Sequence, residues 1–232
     1  MAAVELATGV WRVPTAPYDL VNSYLFSNDD GSLTLVDAGW RNGPSQVLSA
    51  LHGLGRAPQD VTRIVLTHAH LDHAGGLAGT QAATGASVAA HDRDALFLRE
   101  GRPPRSDVSR WQGRLMDRLP FRGFPKVEVA DTFMDGVVLD GGLRVVHTPG
   151  HSPGHCSFLH EPSGVLITGD ALFNVRGLRY APKMLCTDVR LSRETAHVLG
   201  ELDYDTAAFT HGPHVSRGAR DAVRAFLAGR PS

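Results

Sequence analysis

Three histidines and an aspartate, His68, His70, Asp72 and His73, share six consecutive positions inside the stretch THAHLDHAGG. Imidazole nitrogens and carboxylate oxygens are the donors that divalent transition metals take from a protein, and histidine is also the side chain that titrates nearest neutral pH. In an extended segment, residues two apart point the same way, so His68 and His70 can reach one ion. Asp72 and His73 follow the turn into a helix, where they can face a second ion. Gly75 and Gly76 let the backbone turn closely beneath such a site. The motif carries no cysteine, which suits Zn²⁺ and also Mn²⁺, Fe or Co. Twelve histidines in 232 residues is the one compositional feature that asks for a chemical explanation.

Three further residues follow the same positional logic. His151 lies just past "LRVVHTPG", Asp170 follows "VLITG" and His211 follows "AAFT". Each, like His68 after "RIVLT", sits beyond the C-terminal end of an expected strand, where α/β architectures gather site residues.

The elements that would position them can be read along the chain. "GVWRVP", "NSYLFSN" and "SLTLVDAG" are short apolar or alternating runs bounded by turn residues, and read as strands. A helix is expected from Pro44 to Leu54, a buried strand over 63–67, a helix from Asp72 through "GLAGTQAATG", and the strand "ASVAAH". "DRDALFLRE" is helical in pattern. A second helix is expected from Ser106 or Asp107 to Leu119, because Val108, Trp111, Leu115 and Leu119 recur at helical spacing. "VVLDGGLRVVHTPG" and "CSFLHEPSGVLITGD" read as strands with "DGG" and "PSG" turns. The helix "SRETAHVLGEL", the strand "TAAFTH" and the helix "ARDAVRAFLAG" close the chain. Strands then helices, twice over, favour one domain spanning residues 1–232, built of two similar halves with two sheets face to face and helices outside.

The net charge of −1 gives no basis for a nucleic-acid tail or a polybasic membrane anchor. No apolar run approaches the roughly 20 residues of a membrane helix, and the N-terminus lacks the pattern of a signal peptide. The two cysteines, Cys156 and Cys186, make no disulfide framework. A cytoplasmic protein acting on a small molecule is expected, with no nucleic-acid or membrane partner; its oligomeric state is open.

"HAHLDH" resembles the H-x-H-x-D-H signature of the metallo-β-lactamase-fold hydrolases, and "TPGHSPGH", "ITGD" and the "HG" at His211 resemble that family's later motifs in order, from about Gly9 to Gly212. The resemblance implies an α/β four-layer αββα sandwich, two mixed sheets with helices outside and the site at their shared edge. It assigns one metal to His68, His70 and His151, a second to Asp72, His73 and His211, and the bridging position to Asp170. Asp37, in "LVDAG", matches an aspartate near the metals and is expected to orient a ligand histidine. Two zinc ions, with Mn or Fe as alternatives, would acidify a shared water, and the hydroxide would attack a carbonyl or phosphoryl centre. Asp72 is the candidate catalytic residue, steering that nucleophile by hydrogen bonding.

The expected substrate is a small ester, thioester or lactone. Glyoxalase II-like thioesterases carry a C-terminal helical part that this chain is not expected to supply. Exported β-lactamases generally lack the bridging aspartate, so β-lactam hydrolysis is an alternative. Quorum-quenching lactonases place a tyrosine where "DALFN" has Phe173, with Tyr180 a candidate substitute. Another alternative is a mono-iron oxidoreductase like the persulfide dioxygenases, using positions matching His68, His151 and Asp170; a third is a non-enzymatic metal-dependent binding protein. His155 is expected to pack or hydrogen-bond beside the site, and His211 is preferred over His214. His52, His91, His147, His160 and His197 are read as structural or exposed. Cys156 is read as a core thiol, and Cys186 as near the pocket without an activating partner. Arg110, Arg114 and Arg118, four apart, read first as a solvated helix face and second as a lid that meets an anionic substrate.

Overall fold

A computed structural model describes residues 2–119 and 122–229. Seven strands form the first sheet in chain order: β1 (Val4–Ala7), β2 (Val10–Pro14), β3 (Asn22–Ser27), β4 (Leu33–Val36), β5 (Val61–Val65), β6 (Ser87–His91) and β7 (Asp131–Phe133). The first three pairings are antiparallel and the last three parallel. The second sheet takes β8 (Val138–Leu139), β9 (Leu143–His147), β10 (Cys156–His160), β11 (Val165–Ile167), β14 (Thr206–Ala208) and β15 (Val215–Ser216), in the order β15-β14-β11-β10-β9-β8. A separate hairpin pairs β12 (Leu172–Asn174) with β13 (Leu178–Tyr180). The helices are α1 (Gly43–Gly53), α2 (Leu71–Ala74), α3 (Leu77–Thr84), α4 (Asp92–Glu100), α5 (Trp111–Met116), α6 (Val189–Thr195) and α7 (Ala219–Ala228).

Strand alternation explains the layering. On β3, Tyr24 and Phe26 point into a core shared with Val145, Phe158 and Ile167 of the second sheet, while Leu25 points into the opposite core. That outer core joins Ile64 and Val88 to Val47 and Leu51 of α1, Leu77 of α3 and Leu98 of α4. On the far side, Leu159, Leu166 and Ala207 pack against Val223 and Leu227 of α7 and Leu199 of the 3-10 turn after α6. Side chains period-two on each strand therefore feed two cores at once, giving the αββα sandwich. Cys156 is fully buried in the central core, as expected of a packed thiol.

Strand direction places the site. β9 and β11 both run antiparallel to β10, and β11 runs parallel to β14. Their C-terminal ends therefore share one edge. The parallel set β4, β5 and β6 does the same in the first sheet. The sheets are stitched near this edge: the Cys156 N–H donates to Thr67 O at 2.9 Å, and Tyr24 Oη donates to Phe209 O at 2.6 Å.

Three helices differ from the sequence reading. The helix expected from Asp72 is split into α2 and α3 at Gly75–Gly76. A Cβ on Gly76 would lie 2.3 Å from Ala38 O and 2.8 Å from Trp40 O, so close approach fixes this glycine rather than an unusual backbone angle. The helix expected to reach Leu119 is the short α5, with Arg110 at its N-cap and Arg118 past its end. The helix expected over 192–202 starts earlier, at Val189 with Asp188 capping the Leu191 N–H, and gives way to a 3-10 turn at Ala196.

Candidate metal centre

His68 and His70 leave β5 in extended conformation, and the chain turns into α2 at Leu71, as their spacing requires. Asp72 and His73 lie in that single helical turn. His151, Asp170 and His211 arrive from the loops after β9, β11 and β14. All seven come together. One ligand atom from each of His68, His70 and His151 falls within a 4.8 Å group, as does one from each of Asp72, His73 and His211, and one from each of His68, His73 and Asp170.

Asp170 lies between the two triads. Its Oδ2 faces His151 Nε2 at 3.1 Å and His68 Nε2 at 3.8 Å, whereas its Oδ1 faces His73 Nε2 and His211 Nε2, each at 3.3 Å. Asp72 Oδ2 stands 3.4 Å from His211 Nε2 and 3.8 Å from His73 Nε2. Most of these separations exceed a good hydrogen bond. They match donors around a common ion, since ligand bonds of about 2.0–2.1 Å in a tetrahedron set ligand atoms roughly 3.3 Å apart. The Nε2 atoms of His68, His70, His73 and His211 are buried without a hydrogen-bond partner among the described residues. Buried donors and acceptors are almost always satisfied, so the unpaired Nε2 atoms of His68, His73 and His211, which converge on Asp170, have the chemistry of a cation site.

The opposite ring nitrogens are engaged. His73 Nδ1–H donates to Asp37 Oδ2 at 2.8 Å, and His211 Nδ1–H to Leu20 O at 2.6 Å. Thr67 Oγ1 donates to Asp37 Oδ2 at 2.8 Å and receives His68 Nδ1–H at 3.0 Å. His151 Nδ1 faces Cys186 Sγ at 3.7 Å. Fixing Nδ1 leaves Nε2 of His68, His73, His151 and His211 aimed at the centre, whereas His70 turns its Nδ1 there, 2.9 Å from His151 Nε2. Asp37 adopts φ 60°, a left-handed conformation that aspartate tolerates better than most residues, and also receives the Thr67 N–H at 2.8 Å.

Electrostatics without ions follow from this crowding. Burial, then neighbouring imidazoles, hold His68 and His70 well below the ordinary histidine range; Arg122 adds to the push on His70. Burial also opposes charge on His73, His151 and His211, but Asp170 and its fellow acids outweigh it. His151 is raised to about 10, and His73 and His211 are raised as well. Burial disfavours the Asp170 anion, yet His211, His73, His151 and His68 together hold its pKa well below the carboxylate range.

The sequence matches the family profile of the Metallo-beta-lactamase superfamily over residues 16–211. The chain belongs to the metallo-beta-lactamase superfamily. It is 34% identical over 174 residues to the uncharacterized protein YobT of Bacillus subtilis, covering 72% of this chain and 69% of that one. It is 26% identical to the probable metallo-hydrolase YflN of the same organism, over 84% of this chain and 74% of the other. A hydroxyacylglutathione hydrolase of Rhodopseudomonas palustris is 29% identical over 71% of this chain, which spans 52% of that protein. Among solved structures, a metallo-beta-lactamase of Cronobacter sakazakii superposes with a TM-score of 0.74 at 22% identity, covering 98% of this chain and 91% of that one. The subclass B3 enzyme BJP-1 of Bradyrhizobium japonicum gives 0.72 at 23% identity, covering 98% and 90%.

Several supports of this superfamily site escaped the motif reading. Asp94, at the third position of α4, is 1% exposed and receives Ala69 N–H at 2.9 Å, Ser152 Oγ–H at 2.6 Å and Gly154 N–H at 2.7 Å. It ties the His68–His70 loop to the His151 loop. In sequence it reads as an ordinary first-turn acid. Thr210 Oγ1 donates to Asp170 Oδ1 at 2.8 Å. His155 does hydrogen-bond beside the site: its Nδ1–H donates to Thr148 O at 2.9 Å, and its Nε2 accepts the Asp170 N–H at 2.7 Å. Phe173 stacks on His211 with ring centroids 4.2 Å apart, while Tyr180 packs against Phe226 in the outer core.

An apolar mouth of about 280 Å³ opens over His70 and Asp72. Trp40, Leu71, Met116, Leu119 and Leu185 line it. Its walls come from residues in and around α5, from Leu185 and from Trp40 in the turn after β4.

Proposed function

We propose that this protein is a hydrolase that holds two metal ions, zinc first and Mn or Fe as alternatives, and cleaves a small ester, thioester or lactone. The observation that carries the reading is the Asp170 carboxylate, which turns one oxygen to each histidine group. His68, His70 and His151 would hold one ion, Asp72, His73 and His211 the other, and Asp170 would join them. Two bound ions would supply Lewis-acid polarisation of the carbonyl and an acidified water at neutral pH.

The protein's own groups do the rest. The side chain of Asp72 is 21% exposed, against 2% or less for Asp170, His68 and His73, so it is the ligand acid open to the mouth. Its outer oxygen is the acceptor that orients an attacking water, the catalytic role assigned to it here. The walls of Trp40, Leu71 and Met116 exclude bulk water from the carbonyl and strengthen every charge interaction inside. Asp37 and His155 position His73 and Asp170 without touching substrate. The hydroxyacylglutathione hydrolases among the relatives support a thioester as the first substrate to try.

Metal quantification on the purified protein, joined to a panel of ester, thioester, lactone and β-lactam substrates, tests the proposal. Two equivalents of metal are expected, with hydrolysis lost on chelation and restored by Zn²⁺ or Mn²⁺. Less than one equivalent with no restorable hydrolysis overturns it. One iron per chain with oxygen uptake on glutathione persulfide would replace it with the oxidoreductase reading.

A further inference from the structure

Beside the apolar mouth lies a larger cavity of about 710 Å³. Arg102, Arg105, Arg114, Arg118 and Arg122 line it, with Asp117 as the one carboxylate in its wall. The chain as a whole has net charge −1, so this is a local concentration of positive charge rather than general basicity. The two cavities share Pro103, Leu119 and Arg122, so the arginine chamber adjoins the space above His70 and Asp72.

The arginines divide into two kinds. Arg122 Nη1 pairs with Asp117 Oδ1 at 2.6 Å, and the same Asp117 oxygen receives the Ser106 N–H at 2.9 Å. Asp117 thereby links Ser106 to Arg122 in the chamber wall. Arg41 Nη2–H donates to Gly123 O at 3.0 Å and anchors the same loop to the turn beyond β4. Arg114 donates to Val108 O, and Arg102 pairs with Glu100. Arg105 and Arg118 are exposed and have no side-chain hydrogen bond or ion pair among the described residues. Arg110, expected to share a stripe with Arg114 and Arg118, instead pairs with Asp107 away from the chamber. Arg110, Arg114 and Arg118 are all exposed, as a solvated face would be, and Arg114 and Arg118 also line the open chamber.

We propose that the chamber is a substrate subsite. The substrate class is an ester or thioester whose carbonyl sits over the metal centre, whose middle is apolar, and whose far end carries two or more negative charges. The inference rests on the hydrolase reading above and narrows its substrate. An apolar segment fits Trp40, Leu71, Met116 and Leu119. Guanidinium groups bind phosphate and carboxylate in forked, two-bond geometry, and Arg105 and Arg118 are the two free to do so. Beside low-dielectric walls their field also steers anionic substrate toward the mouth.

The test compares butanoyl thioesters of three thiols on the metal-loaded protein: neutral mercaptoethanol, dicarboxylate mercaptosuccinate and phosphate-bearing coenzyme A. The wild type should prefer a multiply anionic thioester over the neutral one by at least tenfold in kcat/KM, and the preference should shrink as salt rises. The better of the two anions identifies the tail. The double variant Arg105→Gln, Arg118→Gln should lose at least tenfold of that preference, mainly through KM. Arg63→Gln, in the middle of β5, paired with Asp140 and lining neither cavity, should keep it. A wild-type preference near one, or a preference that survives the double variant, overturns the subsite. If no thioester is cleaved, the hydrolase reading fails only if the ester and lactone panel is uncleaved too, and equilibrium binding of the butyl thioether of coenzyme A decides the chamber. Binding weakened tenfold or more in the double variant supports it, and unchanged binding overturns it.

Discussion

Asp37 and His155 hold the metal ligands from behind, and each predicts a separable effect. Asp37 Oδ2 takes the His73 Nδ1–H at 2.8 Å, so Asp37→Asn should weaken the ion on the His73 side by about 10–100-fold and the other ion much less. Stepwise titration against a chromophoric chelator reads both constants; equal weakening of the two would contradict the assignment. Burial holds His155 down to about 3, so its Nε2 lone pair serves the Asp170 N–H at any ordinary pH. An unfolded imidazole takes up a proton below about pH 6.5. Between 6.5 and 3 the unfolded chain therefore binds more protons than the folded one, and the stability contributed by His155 falls as pH drops through that window. His155→Phe should cost roughly 1–3 kcal/mol at neutral pH for the stranded N–H and give a shallower acid slope. Urea unfolding at a series of pH values checks both.

Elements decide whether these residues meet. The site depends on two loops held in register, one after β5 and one after β9, and Asp94 of α4 joins them through three donors. Asp94→Asn turns an amide N–H toward one of those donors and should destabilise by roughly 1–3 kcal/mol, seen as a lower Tm and weaker metal binding in the His68–His70–His151 group. An unchanged Tm would show that the loops are held by other means. The sequence made the cluster legible because metal-ligand chemistry restricts residue type and spacing at once: His68 and His70 two apart, Asp72 and His73 beyond a turn. It made most strands legible through their alternation. It did not disclose Asp94, whose partners lie 25 to 60 residues away and leave no local pattern. Nor did periodicity find the break at Gly76, which is set by Ala38 O and Trp40 O from another loop. The helix expected to Leu119 stops at Met116; Val108 and Leu115 of that apolar pattern are more than half exposed, so burial never enforced its period.

At the scale of the molecule, the charge balance of the centre couples it to pH. His151 is raised to about 10, so at pH 7 it carries charge against Asp170, and the acids shift His73 and His211 in the same direction. A metal needs those lone pairs, so binding should release protons and tighten as pH rises. Calorimetry at pH 7 in buffers of different ionisation enthalpy should show heats that track the buffer; identical heats would rule the exchange out.

His68, His70, Asp72 and His73 hang from the seven-stranded sheet, whereas His151, Asp170 and His211 hang from the six-stranded one. A cation shared among them would be a reversible cross-link between the two halves of the fold. Mass action then makes cohesion a function of metal supply: at a free concentration one hundred times Kd, each site adds about 2.7 kcal/mol to the folded state. A cell short of metal would hold a looser molecule as well as an idle one, and protease sensitivity should rise on chelation before any activity is assayed.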